Sequence, residues 1–142
     1  MPHLVILYTP NLEARCNMTV LCRQLADTMV AQRDSDDRAV FPVGGVRVLA
    51  YPAAHSAVAD GGAAGLAAGG SGDYGFVYLN LRMGLGRSAE VHHAVGEALT
   101  GVAKAFFAPL MVDQAIGVTL QIDEGAEVFG AKHSSLHPLF SK

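Results

Sequence analysis

The chain has little with which to staple itself, cross a membrane or grip nucleic acid. Only two cysteines occur, Cys16 and Cys22. They stand six apart in what reads as a helical stretch and so fall on different faces, which leaves neither a disulfide nor a metal-ligand spacing. Lys and Arg total 10 against 13 Asp and Glu, a net charge of -3. No basic stripe breaks that balance, which excludes the electrostatic footprint of a nucleic-acid partner. No apolar run approaches the roughly 20 residues of a membrane helix. The N-terminus carries no positive region and turns polar by Asn11, so no secretory signal is expected and the cytoplasm is the expected compartment. No nucleophile elbow, phosphate-binding loop or Ser–His–Asp order is present.

The histidines offer little more. His92 and His93 are adjacent on a predicted helix and cannot both face one site. His133 and His137 have the i, i+4 spacing that suits a metal on a helix. Ser134, Ser135 and Pro138 oppose a helix there, and no carboxylate or cysteine is close in sequence. No metal site is expected.

Apolar residues are what the chain has in surplus: 51% of it is hydrophobic and 16% charged. Its 142 residues suit one domain with a proper core, and the excess beyond that core points to a subunit interface. Residues 3–9 (HLVILYT) read as a buried strand. Residues 12–32 place Val20, Leu21, Leu25 and Met29 at helical spacing. After the polar break RDSDDR and a turn at Pro42–Gly45, a second strand is predicted over roughly 46–51. The Gly/Ala segment of about 59–72 has nothing to pack a core and reads as a flexible loop.

The order then recurs, with a strand over 74–83, a helix over 88–108 and a strand over 116–123. Val91, Val95, Leu99, Val102 and Phe106 share one face of that helix. In the last strand Ile116, Val118, Leu120 and Ile122 alternate with polar residues, the mark of a strand covered on one side. The fold expected is α+β, a duplicated β-α-β unit with pseudo-repeats at about 2–52 and 73–124. Each crossover helix favours parallel pairing within its unit. Together they make a four-stranded sheet with both helices on one face, the other face being left for neighbouring subunits.

Three residues carry possible chemistry. Pro2 directly precedes the first strand, where a residue without an N–H does no harm. Removal of Met1 would instead make its nitrogen a secondary amine, and therefore a base. Arg87, in MGLGRS, follows two glycines and precedes Ser88, a helix N-cap candidate. It is either a solvated turn residue or an anion-binding group at a helix start. Arg47 lies between Val46 and Val48, either as an edge-strand charge or pointing into a cleft where its planar fork binds a carboxylate.

MPHLVILYT, FPVGGVR, DYGFVYLNLRMGLGRS, LQIDE and a closing HPLF, in this order and spacing, resemble the 5-carboxymethyl-2-hydroxymuconate isomerase family of the tautomerase superfamily. The resemblance covers almost the whole chain except the segment around 60–72, which is longer here. It implies a tautomerase-like homotrimer that needs no cofactor. It implies Pro2 as catalytic base, and Arg47 and Arg87 as the residues that bind a polycarboxylate substrate in aromatic-acid (homoprotocatechuate-type) degradation. Two alternatives stay beside it. One is a related tautomerase acting on another 2-hydroxymuconate or an arylpyruvate; the other is a non-catalytic trimeric binding protein of the same fold.

Overall fold

The structure is a computed structural model and describes residues 2–141. Met1, whose removal a basic Pro2 requires, lies outside the described residues. Strand β1 (His3–Tyr8) leads through helix α1 (Met18–Ala31) to β2 (Arg47–Pro52). A five-residue helix α2 (Ala63–Ala67) precedes β3 (Gly75–Gly84), helix α3 (Ala89–Phe107) and β4 (Ile116–Gly125). The sheet order is β2-β1-β3-β4. β1 runs parallel to β2, and β3 parallel to β4. The two units join through an antiparallel β1–β3 pair that sets Leu4 opposite Leu81 and Ile6 opposite Leu79.

This register fixes the faces. Alternate residues of a strand point to opposite sides, so Leu4, Ile6 and Tyr8 share a face with Val77, Leu79, Leu81 and Met83, and all are buried. Leu21, Leu25 and Met29 of α1 close over them with Val95, Leu99, Ala103 and Phe107 of α3. Both helices therefore cover one face, as the pattern predicts. The other face is bare. There Leu7, Leu49, Tyr51 and Phe76 expose between 38% and 49% of their surface. Toward the far end of the same face the Asn80 and Gln121 amides donate to Asp123 at 2.7 and 2.9 Å. Those bonds, Gln121's first, hold the Asp123 carboxyl below the usual carboxylate range.

Local boundaries differ from the sequence reading in two places. The first helix begins at Met18, because Pro10 opens a 3-10 turn over Pro10–Leu12 and Asn17 caps the helix by accepting from the Val20 N–H at 3.2 Å. Cys16 therefore lies ahead of the helix, and Val20 faces solvent. The Gly/Ala segment forms α2 where a loop is predicted. The Asp60 carboxylate accepts from the Gly62 and Ala64 N–H groups at 3.0 and 2.9 Å, and the Tyr74 hydroxyl accepts from Gly65 at 2.9 Å. Alanine's helix propensity then suffices for one turn. His133 and His137 share no α-helix: His137 opens a 3-10 turn over His137–Phe140. No helix among the described residues is long and apolar enough to cross a membrane.

Tyr8 ends β1 with its hydroxyl donating to the Glu13 carboxylate at 2.5 and 3.0 Å. Burial, and then the Glu13 carboxylate, hold the phenol protonated well above the ordinary tyrosine range. A raised folded-state pKa stabilises the fold fully below the unfolded value of about 10 and loses that effect as pH rises above it. Tyr8→Phe should therefore cost about 1–2 kcal/mol near neutrality, and the gap to wild type should narrow above about pH 10. Urea unfolding across this range checks it, and a gap that widens with pH would contradict the assignment.

Candidate active site

Strand direction gathers the three sequence-predicted residues at one end of the sheet. Pro2 immediately precedes His3, whose cross-strand partners are Arg47 and Arg82. β2 starts at this end and β3 finishes there, so Arg47 and the loop carrying Arg87 flank the start of β1. Pro2 is buried. A Cβ placed on Gly45 would lie 3.0 Å from the Pro42 ring and 3.7 Å from Pro2 Cδ, so the 3-10 turn Val43–Gly45 sits against the proline ring.

Arg47 stands on an edge strand and beside a cleft at once. It is the first residue of an edge strand, and its side chain lines a groove of about 600 Å³ with Val43, Gly44, Val46, Leu136 and Phe140. Nη1 donates to the Gly44 and Val46 carbonyls, each at 2.8 Å. Among the described residues Nε and Nη2 make no hydrogen bond, which leaves one edge of the guanidinium for an anion. The groove's far wall is the C-terminal turn, where Phe140 stacks so closely on Gly44 that an added Cβ would meet its ring at 2.9 Å. Only glycine fits there without displacing that wall.

Arg87 is held more firmly. Nε and Nη2 donate to the Val40 carbonyl at 3.3 and 3.0 Å, and Nη1 donates to the Gly84 carbonyl at 3.3 Å. The guanidinium carbon stands 5.2 Å above the ring of Phe41, which is fully buried. These contacts tie the β3–α3 loop to a segment 47 residues earlier. Just beyond, the Ser88 hydroxyl accepts from the Val91 N–H at 3.2 Å and starts α3. Arg87 lines a second groove of about 500 Å³ with Asp34, Arg38, Val40 and Val91. Within one chain the two arginines thus share an end of the sheet and not a groove, and Pro2 lines neither groove.

The sequence reading missed Phe41 and Phe140 as neighbours of the arginines. Both stand in quoted motifs, FPVGGVR and HPLF, but nothing local says that one ring lies under Arg87 and the other against Gly44. His92 also reaches this end of the sheet, its Nε2 lying 3.2 Å from the Glu124 carboxylate without the alignment of a hydrogen bond. His93 points to solvent. No cluster of three or more His, Cys, Asp or Glu suited to a metal occurs among the described residues.

The chain that brings Pro2, Arg47 and Arg87 to one end of the sheet is similar to known proteins along its whole length. A solved 5-carboxymethyl-2-hydroxymuconate delta-isomerase is 58% identical and superposes with a TM-score of 0.97, over 100% of this chain and 94% of that one. A solved 5-carboxymethyl-2-hydroxymuconate isomerase from Deinococcus radiodurans R1 is 31% identical with a TM-score of 0.79, over 99% and 95%. The 5-carboxymethyl-2-hydroxymuconate Delta-isomerase of Escherichia coli is 26% identical over 99% of each chain. The family defined by 5-carboxymethyl-2-hydroxymuconate isomerase matches residues 2–140, and this chain belongs to it.

Proposed function

We propose that this protein isomerises 5-carboxymethyl-2-hydroxymuconate, a step in the degradation of aromatic acids, with Pro2 as the base and Arg47 and Arg87 as anion-binding groups. The observation that carries the reading is the convergence of these three residues on one end of the sheet, in a chain of this family. The substrate is a dienol with three carboxylates. Its hydroxyl proton leaves, the electrons shift along the conjugated chain, and a proton is delivered to carbon, giving a ketone conjugated with one double bond. Nothing is oxidised or reduced.

The physical chemistry suits an amino-terminal proline. An α-amino group ordinarily titrates at about 7.7–8.0. A free amine titrating in that range is partly unprotonated near neutral pH, as a general base needs. Arg47 and Arg87, braced against backbone carbonyls, have little side-chain freedom left to lose when a carboxylate binds. Their charge also stabilises the oxyanion that develops as the proton leaves.

We also propose a homotrimer in the cytoplasm. The bare sheet face carries the apolar patch of Leu7, Leu49, Tyr51 and Phe76, and packing against copies of the chain would cover it. Sedimentation should return a trimer at micromolar concentration; a stable monomer would defeat this part of the reading.

Loss of the dienol's ultraviolet absorbance reports the isomerisation. Pro2→Ala keeps an amine of different position and solvation, so kcat should fall with a modest change in KM. Arg47→Ala and Arg87→Ala each remove a charge-assisted contact of about 1.5–3 kcal/mol, so kcat/KM should drop roughly ten- to a hundredfold, mainly through KM. Lysine at either position restores charge without the fork and should recover activity only in part. Arginine variants with wild-type KM would sink the assignment.

A further inference from the structure

The proposed substrate carries three carboxylates, and the two arginines assigned above answer for two of them. A third cation lines the Arg47 groove. Arg23, on α1, lines it together with Val43 and Val46. In this structure Arg23 Nη2 pairs with Asp27 Oδ1 at 2.7 Å, one turn along the helix, and both side chains are about two-thirds exposed (66% and 67%).

Resting on the function proposed above, we infer that Arg23 is the specificity-determining residue for the third carboxylate, the one on the carboxymethyl branch. The groove supplies what such a subsite needs. Arg47 and Arg23 both line it, Arg47 with Nε and Nη2 unengaged. Val43, Val46 and Phe140 of the same lining offer apolar surface to the carbon chain. An exposed helical pair of this kind is weak, so a ligand carboxylate can take Arg23 from Asp27 at little cost. Asp27 is then a built-in competitor that lowers affinity for a third anion. A substrate with two carboxylates has nothing to place on Arg23, so the residue acts on selectivity between triacids and diacids.

The test reads binding as well as turnover. Calorimetry on the wild-type protein would compare propane-1,2,3-tricarboxylate with glutarate. Arg23→Gln should lower the tricarboxylate-to-dicarboxylate affinity ratio roughly two- to fivefold, the range of an exposed ion pair. Asp27→Asn should raise the ratio, and added salt should shrink both effects. A merely structural helix pair would change melting temperature and leave the ratio alone. An unchanged ratio in Arg23→Gln, or no preference of the wild type for the tricarboxylate, overturns the inference. Turnover of 5-carboxymethyl-2-hydroxymuconate with an unchanged ratio contradicts this subsite alone. The expected ratios without turnover contradict the proposed activity and leave the subsite standing.

Discussion

The antiparallel pairing of β1 with β3 is the constraint on which the rest depends. It places the N-terminal strand in the interior of the sheet, bonded to β2 on one side and β3 on the other. A strand held on both sides cannot fray or slip without reversing which residues meet the core. The residue just before it is therefore fixed in space as firmly as a core residue. Proline suits that position because it has no N–H to lose from the ladder. The same residue, with its nitrogen freed by processing, is the base of the proposed reaction. Stability and chemistry thus draw on one feature: a rigid start to a central strand.

The arginines sit at strand boundaries inside the two β-α-β units. Arg47 begins β2 and leans on the Gly44 and Val46 carbonyls. Arg87 follows β3 and clasps the Val40 carbonyl above Phe41. Each is a charge on a long flexible stem whose freedom backbone acceptors have already removed. Their grooves are separate within one chain, while the apolar sheet face is bare. A bare face of this kind and a site spread over two grooves fit a protein that works as an assembly, which is the reading proposed for it.

Much of this was legible in the sequence. Alternation over residues 116–123 and the Ser88 cap are local signals, and β4 and α3 appear where those signals put them. Parallel pairing within each unit followed from the length of the crossovers. What sequence could not supply was set by distance along the chain. The Arg87–Val40 clasp joins residues 47 apart, and the Phe140–Gly44 contact brings the C-terminus to β2. The antiparallel join of the two units depends on both cores at once. The Gly/Ala segment misled because low complexity says nothing of a single Asp60 placed to cap a short run of alanines. Local chemistry gives Arg47 and Arg87 two meanings each, and the resemblance across dispersed motifs favours anion binding.

The central claim is that the nitrogen of Pro2 moves the proton, and it is tested most directly by blocking that nitrogen alone. Two proteins would be prepared and verified by intact mass, one beginning at Pro2 and one with Met1 attached. Both should show the same circular dichroism and the same sedimentation. The chain beginning at Pro2 should isomerise 5-carboxymethyl-2-hydroxymuconate, and the chain retaining Met1, in which that nitrogen is an amide without a basic lone pair, should be inactive. Equal turnover by the two would show that Pro2 is not the base.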